Sequence, residues 1–216
     1  MNLFITRAFT EPKMFFMITL VVVFSICLHE FFHAWTALKL GDSTAADHGH
    51  LTLNPLKQMG PFSIIMFLVL GFAWGAVPVD NYVLRARNRH APALVALAGP
   101  ATNFGLFLIA FFFFGFLRPR IWNLLENEVA GQTVMQLFFY LGVFNAFLCA
   151  FNLLPVPGLD GWAALTEYVP RIKTLSSEFA KGVTIFLIFL FLFLSGHIFL
   201  LAAKLMELAP TLFGAE

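Results

Sequence analysis

At 216 residues, 60 % of them hydrophobic and 12 % charged, the chain carries about half the charge of an ordinary soluble domain, roughly 25 %, and reads as an integral membrane protein. A net charge of +1 gives no reason to expect nucleic acid as a partner. Two cysteines make no disulfide framework; Cys27 and Cys149 fall in apolar runs and read as small buried hydrophobes.

Four apolar runs are long enough to span about 30 Å of hydrocarbon as helices: 14–38, 91–117, 134–154 and 183–205. The start of the chain lacks a basic region followed by a small-residue cleavage site, so the first run is expected to stay as an anchor. A fifth run, 61–77, is short and interrupted by Gly71 and Gly75, with Pro78 just beyond, which suits a re-entrant segment better than a crossing. Residues 48–55 and 76–83 show partial period-two alternation with turn residues at their edges, so short membrane-associated β-strands are expected there. The fold class is thus an all-α polytopic membrane protein with about four full transmembrane helices, a re-entrant segment and short strands, in a single domain over 1–216.

The first run contains His29-Glu30-Phe31-Phe32-His33. Residues four apart share a helical face, so His29 and His33 can aim both imidazoles at one metal while Glu30 lies beside it. This is the zinc-peptidase spacing. In a chain of this composition chance would produce it roughly 0.6 % of the time. An ionisable group in a spanning helix costs about 2.5 kcal/mol or more, so such groups usually face a polar cavity with a purpose. Two imidazoles and a third protein ligand would hold one Zn²⁺ per chain with a position left open, and Glu30 would act as general base.

The third ligand comes from a short list, since the chain has only four aspartates. Asp160 stands out in Asn152-Leu-Leu-Pro155-Val-Pro157-Gly158-Leu-Asp160-Gly161, where prolines and glycines bend the backbone directly after the third long helix. With four crossings and a re-entrant 61–77, Lys39, Lys57, Arg85, Arg87, Arg89, Arg171, Lys173 and Lys181 fall on one face, and Arg7, Lys13, Arg118, Arg120 and Lys204 on the other. The more basic face is the expected cytoplasmic one. Asp160 and the histidines then lie toward the same side.

With the HEFFH helix, Ala98-Gly99-Pro100-Ala101-Thr102-Asn103 and the NLLPVPGLDG segment in this order, the chain resembles the site-2 protease family of intramembrane zinc metalloproteases over most of its length. The TLNPLK stretch looks like the small bacterial and archaeal branch without a PDZ domain. The resemblance implies a three-helix catalytic core, zinc on His29, His33 and Asp160, Glu30 as catalytic base, and Asn152 near the site as a substrate or oxyanion contact, with Asn103 a further candidate. It implies a transmembrane protein or peptide substrate, cleaved in or near its helix in regulated intramembrane proteolysis. The expected place is a prokaryotic inner membrane with the active site toward the cytoplasm; homo-oligomerisation is compatible with it. Gln58 and Gly60 stand where that branch often has histidine and aspartate, and His50 where arginine is common.

His48 and His50 read as solvated loop residues before they read as a second metal site, His90 as part of an interfacial basic cluster, and His197 as a helix-packing residue. Two other functions compete. A di-iron oxidase would need the Glu-x-x-His pair twice, and it occurs once. A non-proteolytic metal-binding protein or metal transporter would have no evident use for Glu30.

Overall fold

The structure is a computed structural model that describes residues 3–121, 127–169 and 177–214. In chain order the helices are α1 (Arg7–Thr10), α2 (Pro12–Lys39), α3 (Thr44–Asp47), α4 (Pro55–Gln58), α5 (Gly60–Leu70), α6 (Asn81–Arg87), α7 (Ala91–Leu117), α8 (Glu128–Asn152), α9 (Asp160–Tyr168) and α10 (Ser177–Leu212). Four are long and apolar enough to cross a membrane: α2, α7, α8 and, over Lys181–Leu212, α10. They fall on the four long apolar runs of the sequence. Of the basic residues in the charge tally, Arg171 and Lys173 lie outside the described residues.

Helix α7 packs against both α2 and α8, and α10 lies across α7 and α8. Small residues set these approaches, as is usual between helices in lipid, where close van der Waals packing replaces the hydrophobic drive. A Cβ on Gly142 of α8 would collide with Met206 of α10, and one on Gly115 of α7 would lie 2.9 Å from the Ala209 carbonyl oxygen. The resulting core joins Ala110, Phe114, Val143, Ala202, Met206 and Ala209. A second core, Ile18, Val22, Ile26, Cys27, Met59 and Phe67, seats α5 along the N-terminal half of α2.

Helix α5 ends at Gly71, whose φ of 79° closes the helix in the left-handed region that suits glycine. The chain then turns back. Ala76 N–H donates to the Gln58 carbonyl at 3.1 Å, so residues 71–80 return along α5 to the level where it began. Phe72 and Trp74 share one face of this returning strap, with ring centroids 5.6 Å apart, while Gly75, the next residue, meets Glu30. That alternation is the one an extended chain imposes.

The strands expected at 48–55 and 76–83 do not form: no strand occurs among the described residues. At 48–55 the reason is helix chemistry at the end of the segment. Asn54 Oδ1 accepts from Leu56 N–H, and Pro55 occupies the first helical position, so the chain enters α4. The His50 and Thr52 carbonyls, which a partner strand would use, accept instead from Gln58 Nε2 at 2.8 and 2.6 Å. At 76–83, Asp80 Oδ1 caps Tyr82 and Val83 and starts α6. The alternation in 76–79 is real, but its partners are side chains and a lone carbonyl.

Candidate active site

Helix α2 carries His29, Glu30 and His33 to a buried position between α7 and α9, at 6, 7 and 7 % exposure. His29 Nδ1 lies 2.6 Å from Asn103 Oδ1. Asn103 Nδ2 donates to Asn145 Oδ1 at 2.8 Å, and Asn145 Nδ2 donates to Ser25 Oγ and to the Leu141 carbonyl, each at 2.8 Å. This chain of donors fixes both amide orientations, so Asn103 presents an acceptor and His29 carries its proton on Nδ1. His33 Nδ1 faces the Val95 carbonyl at 2.7 Å, which is also only an acceptor. Both Nε2 atoms are therefore left as lone pairs.

Those lone pairs converge. His29 Nε2 and His33 Nε2 are 3.0 Å apart, and the Asp160 carboxylate closes the group at 3.0 Å from His29 and 3.4 Å from His33. Three acceptors meet with no donor between them, and Asp160 Oδ2 is buried without a hydrogen-bond partner. Such a group is unstable by itself and is satisfied by a cation. Imidazole and carboxylate donors in this number suit Zn²⁺ with a position left open. Opposite them, a Cβ on Gly99 would coincide with both Nε2 atoms, so α7 offers a bare backbone where the cradle needs room. His29, His33 and Asp160 are the one such ligand group among the described residues.

Asp160 reaches the cradle by a tight turn. After α8 the segment containing Pro155 and Pro157 cannot continue the helix, Gly158 takes φ 97°, and Gly161 lies against the Leu153 carbonyl, where a Cβ would overlap backbone. Asp160 is the first residue of α9, where a carboxylate is favoured by the positive end of the helix. Arg85 fixes the other end of α9 with a two-pronged pair to Glu167, at 3.0 and 2.5 Å, and His90 stacks on Tyr168.

A cavity of about 190 Å³ opens onto His29, Glu30 and Asp160, walled by Trp74 and Gly75 on one side and by Phe151 and Asn152 on the other. Asn152 thus stands at the cleft, its Nδ2 now donating to the Leu148 carbonyl at 3.1 Å. Asn103 also lines this cavity, and its buried side chain bonds His29 and Asn145, a geometry that orients an imidazole. A larger cavity, about 1150 Å³, opens among Phe114, Arg118, Tyr140 and Glu207 near the opposite end of the bundle and touches none of these residues. His48 and His50 are not joined to a third ligand: His48 Nδ1 faces the Thr44 carbonyl and His50 Nδ1 faces Gln58 Oε1.

Asn145 and Ser25 were not among the residues singled out from sequence. A signal was present, since each is a polar residue inside a spanning helix, where such groups are costly and usually functional.

A four-helix membrane scaffold holding a two-histidine, one-carboxylate cation site beside a glutamate defines a membrane metallopeptidase architecture. Comparison with known proteins agrees. The family model described as peptidase family M50 matches residues 120–194, the part that carries Asn152 and Asp160. "Putative zinc metalloprotease YwhC" of Bacillus subtilis strain 168 is 38 % identical over 179 residues, covering 81 % of this chain and 78 % of that protein. Proteins with the same descriptor, named Rip2, are 36 % identical over 152 residues in Mycolicibacterium smegmatis and 34 % over 176 residues in Mycobacterium tuberculosis H37Rv. These alignments cover 67 and 78 % of this chain but only 54 and 63 % of the Rip2 proteins. No solved structure matches. The chain belongs to peptidase family M50, the site-2 protease family of membrane zinc metalloproteases.

Proposed function

We propose that the chain is an intramembrane endopeptidase that hydrolyses a peptide bond within or near a transmembrane helix of a membrane-protein substrate, in regulated intramembrane proteolysis. The observation that carries this reading is that His29, Glu30 and His33 lie on a spanning helix and meet Asp160 beside a cavity that opens onto His29, Glu30 and Asp160. His29, His33 and Asp160 would hold zinc, which when bound supplies Lewis acidity, polarising the scissile carbonyl and acidifying water. Glu30 takes the proton from the attacking water and delivers it to the departing amine. Asn103 keeps His29 in the tautomer that leaves Nε2 free, and Asn152 offers its amide to the substrate carbonyl.

The hairpin made by α5 and the 71–80 strap enters the membrane and returns to the same face. Its packing along the N-terminal half of α2 and the return of Ala76 to Gln58 support this. In a prokaryotic inner membrane the face bearing Lys39, Lys57, Arg85 and Arg87 would be cytoplasmic, with the active site toward it. A substrate helix must open before its carbonyls can be attacked, because each is engaged by the amide four residues on. The opened segment lies extended in the cleft beside the strap.

The test is cleavage in proteoliposomes of a panel of transmembrane peptides, read by mass spectrometry, with a chelator arm and zinc restoration. Cleavage within the membrane-embedded region that is lost with chelator and regained with zinc is the expected result. Zinc flux without cleavage would overturn it.

A further inference from the structure

The strap is held along one edge only. Ser63, buried on α5, uses a single hydroxyl twice: Oγ accepts from Trp74 N–H at 2.9 Å and donates to the Trp74 carbonyl at 2.7 Å. Ala76 N–H goes to the Gln58 carbonyl at 3.1 Å, and Asp80 N–H goes to the buried Asp42 Oδ2 at 2.7 Å. Residue 78, between them, is a proline with no N–H to satisfy. Beyond Gly71, whose N–H closes α5 on the Phe67 carbonyl at 2.7 Å, every anchored position is even-numbered. In an extended chain the N–H and C=O of successive residues point to opposite edges, so the backbone groups of Ala73, Gly75 and Val77 point away from α5. Among the described residues no hydrogen bond engages them. Gly75, at the centre of this open edge, is also where a Cβ would strike the Glu30 carboxylate.

We propose that Ser63 is a positioning residue for proteolysis. With the Gln58 carbonyl and the Asp42 carboxylate it stands in for a neighbouring β-strand, registering the strap so that its odd-numbered edge is presented, beside Glu30, to an extended substrate. This rests on the proteolytic reading above. Three side-chain or loop anchors replace a ladder, so the strap needs no partner strand of its own, and its free edge is reserved for the peptide to be cut. Gln58 has two tasks here. Its side chain ties down the His50 and Thr52 carbonyls, and its backbone carbonyl receives Ala76.

The first measurement needs no activity. Residue-resolved hydrogen exchange on the full chain in detergent should show Trp74 and Ala76 amides protected and Gly75 and Val77 amides exchanging at least tenfold faster. Ser63→Ala should abolish protection at Trp74, and Ser63→Thr, which keeps the hydroxyl, should retain it. Steady-state cleavage of a transmembrane peptide should then show KM raised about tenfold in Ser63→Ala with kcat and zinc content nearly unchanged, and restored by Ser63→Thr. With the wild-type enzyme, N-methylation stepped along the substrate backbone should raise KM at every second position. Equal exchange of even and odd amides, an unchanged KM in Ser63→Ala, or N-methyl effects without alternation would each overturn the proposal. Absence of any peptide cleavage by the wild type would instead overturn the proteolytic reading, and the substrate-facing part of this proposal with it, while the exchange pattern alone decides whether Ser63 registers the strap.

Discussion

His29 Nδ1 and Asn103 Oδ1 lie 2.6 Å apart, on helices that run in opposite directions, and this contact decides which imidazole nitrogen is left for a metal. Because Asn103 is itself held by Asn145, and Asn145 by Ser25, the tautomer of His29 is set three residues away from the cleft. Asn103→Ala should weaken zinc binding by roughly 10- to 100-fold, measured by chelator competition. Asn145→Ala should do so less, since it loosens Asn103 without removing it. Wild-type affinity in Asn103→Ala would show that His29 needs no such support.

Gly99→Ala separates stability from metal binding. Alanine is favoured over glycine in a helix interior by about 1 kcal/mol, yet here its methyl would occupy the space of the two Nε2 atoms. The variant should lose zinc while its helical content remains that of the wild type. Gly161→Ala should also lower zinc content, by pushing Asp160 away from the Leu153 carbonyl. Metal analysis beside circular dichroism checks both.

Substrate choice should follow helix stability. A polyleucine transmembrane core should resist cleavage, and the same core carrying an Asn-Pro or Gly-Gly pair should be cut, because these residues lower the cost of opening the helix by about 1–3 kcal/mol. Equal rates for the two peptides would remove helix opening from the account.

Asp42 gives the fold an acid-sensitive joint outside the spans. Burial raises its pKa, but Thr44 N–H, Thr44 Oγ1 and Asp80 N–H all donate to it, at 3.0, 2.5 and 2.7 Å, and the balance lies below the ordinary carboxylate value. A carboxylate with a depressed folded pKa contributes stability above its unfolded pKa and loses it as pH falls through the folded value. Asp42→Asn should therefore destabilise the protein by about 1–3 kcal/mol near neutral pH. The gap in Tm between variant and wild type should narrow below about pH 4. A gap that stays constant with pH would deny the carboxylate this role.

The spanning helices were legible because a bilayer demands about 20 apolar residues in a row and little else satisfies it. The pairing of His29 with His33 was legible because helical periodicity alone puts them on one face, and Asp160 because prolines and glycines have few reasons to crowd around a carboxylate at a helix end. The relay from Asn103 through Asn145 to Ser25 was not, since it joins α7, α8 and α2 across 42 and 120 residues of sequence and no local pattern encodes it. Residues 76–83, which begin within the strap, read as a strand from their alternation. That periodicity reports an extended backbone and is silent on whether the partner is another strand or, as at Ser63, a hydroxyl.

The central claim is that Glu30 moves protons beside a metal it does not hold. Zinc content and peptide cleavage, measured together on Glu30→Gln and on His29→Ala, His33→Ala and Asp160→Ala, test it most directly. The account predicts about one zinc per chain in the wild type, retained in Glu30→Gln with turnover lowered at least 100-fold, and zinc lost from each of the other three. A Glu30→Gln variant that cleaves at the wild-type rate, or one that loses the metal, would contradict it.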